Sequence, residues 1–165
     1  RFPWRRARLW AISLVFLVGV PSTLVVLMSA LVIDFRPEHP YFLTKDESNA
    51  LAWLREQTKP DDIVLSGTVL GSLVPATAGN RVYLGHGVET LFAKAKAEKV
   101  TAFYRGEMDS AEQERFLVQN RIRYVLVGNE ERSVGSTDLD SKGFLRVVFA
   151  NATVSIYRFE ADETN

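Results

Sequence analysis

Hydrophobic and polar residues follow two different patterns along the chain. Residues 9–33 form an uncharged run in which 19 of 25 positions are apolar. At about 1.5 Å per residue such a run makes a helix of roughly 37 Å. A bilayer core is about 30 Å thick, so the run predicts a membrane helix with some tilt. Beyond it, short apolar runs alternate with turn residues. Residues 34–43 hold Pro37 and Pro40 and read as a linker. Thr44-Lys45-Asp46-Glu47 has the spacing of a capping box. The helix behind it carries Leu51, Trp53 and Leu54 and ends before Pro60. Asp61-Asp62 reads as a turn, and Ile63-Val64-Leu65-Ser66 as a short buried strand.

Residues 67–80 are small and Gly-rich, with Pro75, and fit a loop plus a short helix without deciding the extent of either. Residues 81–85 read as a second strand. Residues 89–104 read as a helix, with Leu91, Phe92, Ala95, Lys99 and Phe103 in roughly helical spacing. Ser110, with Gln113 at the capping-box position, predicts the next helix, and Phe116 and Leu117 are its apolar contacts. Arg123-Tyr124-Val125-Leu126-Val127-Gly128 is the clearest strand of parallel type. Residues 130–141 are polar and read as a mobile loop. Residues 144–149 and 153–159 flank Ala150-Asn151-Ala152 as a hairpin, and 161–165 read as a frayed tail. The expected fold is α/β: one N-terminal transmembrane helix, then a small sandwich of two or three layers over residues 44–160. A mixed sheet and a C-terminal β-hairpin complete it.

Composition sharpens the division. The whole chain has 20 Lys+Arg and 20 Asp+Glu, a mean hydropathy of −0.02 and no cysteine. The neutrality is an average. Four arginines (Arg1, Arg5, Arg6 and Arg8) and no acid lie in residues 1–33, which leaves −4 on residues 34–165. A mildly acidic soluble part argues against nucleic acid as a partner. The absence of cysteine excludes a disulfide scaffold, a thiolate zinc site and a Cys nucleophile.

By the positive-inside rule, the arginine-rich flank, residues 1–8, lies in the cytoplasm, and residues 34–165 lie outside it, across the plasma membrane. Trp4 and Trp10 suit the headgroup layer. Pro21 is expected to kink the helix, with Ser22 and Thr23 serving the freed backbone groups. A cleaved signal peptide is the rival reading. The run exceeds the usual 7–15 apolar residues, and no A-x-A site follows, so an uncleaved membrane helix is preferred. A buried core helix would be shorter. The basic start without an initiator Met suggests the C-terminal piece of a longer protein, with further membrane helices upstream.

The most distinctive string is Tyr83-Leu84-Gly85-His86-Gly87-Val88-Glu89-Thr90, between a strand and a helix. Ligands favour the carboxyl ends of strands in open α/β sheets. Gly85 and Gly87 allow a sharp turn, and His86 can exchange a proton near neutral pH. A polar ligand site of His86, Glu89 and Thr90, with Tyr83 and Arg81 beside it, is one reading. It would suit sugar binding or hydrolysis. The other is a tight turn in which Thr90 or Glu89 caps the following helix. No phosphate-binding glycine motif is present, and Glu89 would repel an anion. His39 is the only other histidine, and no metal-site or serine-nucleophile pattern occurs, so neither a metal nor another cofactor is expected. Lys94, Lys96 and Lys99 read as a solvated face, and Trp53 and Phe92 as core. Asn151-Ala152-Thr153 fits the N-glycosylation pattern.

Taken in order, several strings make a resemblance: Ala52-Trp53-Leu54, Asp62-Ile63-Val64-Leu65, Pro75, Gly79-Asn80-Arg81-Val82-Tyr83, Gly85-His86-Gly87-Val88-Glu89-Thr90 and Tyr124-Val125-Leu126-Val127-Gly128. With the preceding apolar span, the chain resembles the last membrane helix and C-terminal extracytoplasmic domain of bacterial polytopic glycosyltransferases of the GT-C type. That group resembles the dolichyl-phosphate-mannose mannosyltransferases. The resemblance implies a parent protein that moves sugar from a polyprenyl-phosphate donor to a glycan or protein acceptor. It also implies contact with membrane lipid. The family's catalytic acid lies in an early loop outside this chain, so the resemblance implies an accessory, acceptor-binding or structural role here. A membrane-anchored binding or interaction module without enzymatic activity is the alternative.

Overall fold

The computed structural model describes residues 4–34, 43–88, 90–135 and 139–160. The linker residues 35–42, with His39, lie outside the described residues, as do Glu89, residues 136–138 and the tail 161–165. The chain divides into two compact units, Arg1–Phe42 and Leu43–Asn165.

The first unit is helix α1, Trp4–Asp34. Its segment Ala7–Ser29 is long and apolar enough to cross a membrane, and none of its most apolar window is buried within the protein. Pro21 lies inside the helix. The Ser22 and Thr23 hydroxyls both donate to the Gly19 carbonyl, each at 2.9 Å. They therefore serve a different acceptor from the Leu17 carbonyl that Pro21, lacking an N–H, leaves without its helical donor.

The second unit is a three-layer α/β/α sandwich. Helix α2 (Lys45–Gln57) starts at the expected capping box, where the Thr44 side chain and Glu47 bond each other's backbone N–H. Strand β1 (Ile63–Leu65) follows, then α3 (Thr68–Thr77), β2 (Arg81–Val82), α4 (Ala93–Arg105), α5 (Ser110–Gln119), β3 (Ile122–Val127), α6 (Asn129–Val134), β4 (Leu145–Ala150) and β5 (Ser155–Phe159). The sheet order is β2-β1-β3-β5-β4. The β1 strand is parallel to β2 and β3, while β5 is antiparallel to β3 and β4. The mixed sheet and terminal hairpin are thus as the sequence predicts.

From Tyr124 to Val127 the residues of β3 alternate between two cores. Tyr124 and Leu126 pack with Leu51 and Leu54 of α2 and Leu70 and Val74 of α3. Val125 faces the opposite layer, with Val100, Phe103 and Tyr104 of α4 and Phe116 and Leu117 of α5. Trp53 is partly buried, its ring edge-on to Tyr124 at 6.2 Å.

In residues 67–80 the short helix left open by the sequence is α3, with loop around it. Other local expectations are corrected. The second strand is only two residues long. Helix α5 is capped by Asp109 with Glu112, one residue before the expected pair. The reason is tertiary: Gln113 is buried, and its Nε2 donates to the Phe103 carbonyl at 3.0 Å, tying α5 to α4. The first part of the loop expected at 130–141 is helical, within α6. At the hairpin turn the Asn151 amide nitrogen donates to the Asp46 carbonyl at 2.9 Å. Its oxygen accepts from the N–H groups of Thr153 and Val154. The amide nitrogen thus ties the turn to the first turn of α2, while the oxygen holds the turn itself.

Candidate functional site

A cleft of about 600 Å³ opens beside the edge strand β2, between α3 and the start of α4. Gly71, Ser72 and Pro75 of α3 form one wall. Tyr83, His86, Thr90 and Lys96 form the other. Three of the five residues expected from sequence are thus brought together. Arg81 is exposed on β2 and does not line the cleft. Glu89 lies outside the described residues.

Two glycines set the depth of this wall. A Cβ on Gly71 would stand 2.2 Å from the Leu84 carbonyl oxygen, so α3 rests directly on the backbone leaving β2. A Cβ on Gly85 would meet the Gly71 carbonyl oxygen at 3.2 Å. The loop then folds on itself. The Thr90 N–H donates to the His86 carbonyl at 2.9 Å, and the Gly85 N–H donates to the Thr90 hydroxyl at 3.2 Å. Thr90 therefore pins the loop and does not cap α4. The residue before α4 is Phe92, whose φ of 58° and ψ of 37° are left-handed, and its side chain makes no cap. A bulky residue there is strained by ~1–2 kcal/mol.

Tyr83 is buried, edge-on to Phe116 at 5.1 Å, and burial raises its pKa. Of the three lysines read as a solvated face, Lys94 and Lys99 are exposed, while Lys96 is half-buried, its Nζ 4.9 Å from the centre of the Tyr83 ring in a cation–π contact. His86 is exposed. The Ser72 hydroxyl donates to the Thr68 carbonyl at 2.7 Å, so it is engaged by its own helix. Among the described residues no carboxylate lines the cleft. An ammonium, an imidazole and an aromatic ring suit recognition of a hydroxyl-rich or anionic ligand.

A second polar centre lies at the topological switch point, between the carboxyl ends of β1 and β3. Open α/β sheets commonly take ligands there. Here the chain fills the place itself. Glu131, almost fully buried, accepts from the Gly67 N–H at 2.6 Å and the Gly128 N–H at 2.7 Å. Glu130 accepts from the N–H groups of Thr68 and Val69, at 3.1 and 2.8 Å, at the start of α3. Burial raises the Glu131 pKa, partly offset by these backbone donors. The Tyr104 hydroxyl, fully buried, lies 2.8 Å from the Leu126 carbonyl oxygen and 3.1 Å from that of Leu65. Its pKa is raised well above the ordinary value by burial, and further by the charges of Glu131 and Glu130. Four backbone donors at this ligand position are thus satisfied by two carboxylates. Sequence reading missed this centre. The signal was Gly128-Asn129-Glu130-Glu131 directly after a strand, with an acid at the capping-box position.

The chain matches no family model and no curated protein. The fold does match a solved one. The α/β unit is similar to the C-terminal globular domain of the oligosaccharyltransferase from Archaeoglobus fulgidus. The TM-score is 0.54 at 16% identity, over 72% of this chain and 99% of that domain. At that identity the likeness is one of fold.

Proposed function

We propose that residues 44–160 form the extracytoplasmic accessory domain of a membrane glycosyltransferase-like protein. In this reading residues 9–33 are its last membrane helix, with residues 1–8 in the cytoplasm and 34–43 as the linker. The observation that carries it is the pairing of an apolar span with a domain whose fold covers nearly the whole of an oligosaccharyltransferase C-terminal domain. The sequence resemblance to GT-C proteins, carried by residues of the same domain, points the same way, and the arginine-rich flank gives the matching orientation. The parent protein would take sugar from a polyprenyl-phosphate carrier, and the Tyr83–His86–Thr90–Lys96 cleft would hold part of the glycan or protein acceptor. Fold alone does not assign activity, so the site must be tested.

The test is transfer of labelled sugar from a polyprenyl-phosphate donor by the full-length protein in vesicles. His86→Ala and Lys96→Ala are expected to raise the KM for acceptor with kcat little changed, because the cleft binds without reacting. No transfer by the wild type would refute the enzymatic part. Equal KM values would remove the cleft from it. A second reading is a membrane-anchored binding module without activity, in which the ammonium, imidazole and aromatic ring of the cleft serve as binding groups. It predicts that glycan binding is lost in His86→Ala and that no transfer occurs in any preparation.

A further inference from the structure

The described part of the α/β unit shows its large exposed apolar side chains in an uneven pattern. Leu43, Val118 and Val147 are isolated and between 38 and 53% exposed. Val88, Leu91 and Phe92 are 90, 72 and 75% exposed and fall within five residues of one loop. The bonds between Thr90, His86 and Gly85 fix this loop against the cleft. The left-handed Phe92 then turns the chain into α4 with both Leu91 and Phe92 left in solvent. A soluble surface gains nothing from three such side chains together, and clustering of this kind marks a contact.

The sheet shows which end of the unit carries the loop. The loop follows β2, which runs parallel to β1 and β3, so it leaves at the carboxyl end of those strands. The start of α2 lies at the same end. Asp46 there bonds Asn151 and Thr153 of the β4–β5 turn, and Ser155 beside that turn pairs with Val127, the last residue of β3. The chain from the apolar helix therefore enters the unit at the end that presents Val88, Leu91 and Phe92. Residues 35–42 span at most roughly 28 Å when extended.

We infer that the loop of residues 85–92 is a membrane-contacting element, with Val88, Leu91 and Phe92 entering the headgroup–acyl boundary of the bilayer that holds α1. Lys94 and Lys99, exposed on the first turns of α4, sit where ammonium groups meet lipid phosphates. Glu89 and Glu98 nearly cancel the charge of Lys94, Lys96 and Lys99, so apolar burial and not an anionic lipid provides the attraction. The contact would orient the cleft at the membrane surface, where a lipid-linked substrate presents its head. This inference rests on α1 spanning the bilayer, as the proposed function has it.

The chain has no cysteine, which allows a clean test. Leu91→Cys is labelled with an environment-sensitive fluorophore, and the full chain is reconstituted in phosphatidylcholine vesicles carrying nitroxide-labelled lipids. Lys59→Cys, exposed at the opposite end of the parallel strands, is the control. Emission from position 91 is expected to be blue-shifted and quenched several-fold more than from position 59. Adding Val88→Asp and Phe92→Asp should bring it to the control level, with near-ultraviolet circular dichroism unchanged. A blue shift without lipid quenching would mean that protein covers the loop, and a water-like emission that nothing does. Either result overturns the inference while leaving the spanning helix intact. Failure of the chain to float with vesicles would instead overturn the spanning reading and this inference with it.

Discussion

Replacing Glu131 by Gln tests whether the self-filled switch point holds the fold together. The carboxylate meets two buried backbone donors, Gly67 at 2.6 Å and Gly128 at 2.7 Å. Glutamine keeps the shape but offers one acceptor oxygen and places an N–H group opposite the other donor. One buried N–H is left unpaired, at ~1–3 kcal/mol. The remaining bond falls from charge-assisted to neutral strength, a further ~1 kcal/mol. Against this, the variant no longer buries a charge, a cost that the raised pKa of Glu131 makes visible. The expected balance is a loss of about 2 kcal/mol at pH 7. For a domain of this size that lowers the unfolding midpoint by roughly 8 °C. The pH dependence has a definite sign. A carboxyl whose folded pKa is raised contributes most below its unfolded value, near 4.5, and loses that contribution as the pH rises through the folded value. The advantage of wild type over Glu131→Gln should therefore be largest below about pH 4.5 and shrink as the pH rises above it. Thermal unfolding of the full chain in detergent, followed by the fluorescence of Trp53, measures both. A variant within ~0.5 kcal/mol of wild type at pH 7 would refute the reasoning. So would a difference that grows with pH.

Gly71→Ala should destabilise: the new Cβ would meet the Leu84 carbonyl oxygen at 2.2 Å. A helix-propensity gain of ~1 kcal/mol is outweighed by an overpacking cost near the upper end of ~1–3 kcal/mol, because the obstacle is backbone. Chemical denaturation would show a lower midpoint, and an unchanged midpoint would contradict the close approach of α3 to the loop. Phe92→Gly should stabilise the unit by about 1 kcal/mol, because glycine relieves the left-handed strain and a side chain 75% exposed buries little. A loss of stability would show that Phe92 packs against the unit. Asn151→Ala removes three hydrogen bonds at the hairpin turn and should cost ~1–3 kcal/mol. The Tyr157 pKa is pushed up to about 12 by burial and by its hydrogen bond to Asp140. Its contribution to stability is full below pH 10 and is lost as the pH rises through about 12. Wild type should therefore lose stability relative to Tyr157→Phe across that window, with phenolate absorbance as the readout.

Features closed within a few residues were legible. The Thr44–Glu47 box needs only two side chains three positions apart, and it stands as written. The hairpin was equally plain, since both strands and their turn are contiguous. Asp109-Ser110-Ala111-Glu112-Gln113 offered two overlapping boxes, and the choice between them lay elsewhere, in the Phe103 carbonyl that claims Gln113. The α3 helix carried no cap signal of its own, because its first N–H groups are met by Glu130, more than sixty positions away. The same long reach hid α6, whose Glu131 bonds Gly67 across 64 positions. At the candidate site the string around His86 located the loop, and His86, Thr90 and Tyr83 do share a cleft. Its apolar pattern misled at residues 91 and 92. Leu91 and Phe92 have helical spacing with Phe103, yet the chain breaks left-handed before α4 and turns both outward.

The junction at Asp46 also has a mechanical consequence. The backbone carbonyl of Asp46 is held by the Asn151 amide, and its carboxylate by the Thr153 hydroxyl, one turn from the point where the chain enters the domain. Tension arriving along residues 35–42 is thus shared between the first turn of α2 and the tip of the β4–β5 hairpin. The hairpin is paired to β3 through four residues, Tyr124 to Val127. A pull that would otherwise unwind one helix from its end must instead disturb the middle of the sheet. The domain would then yield as a whole at a threshold force, with no gradual fraying at its tether.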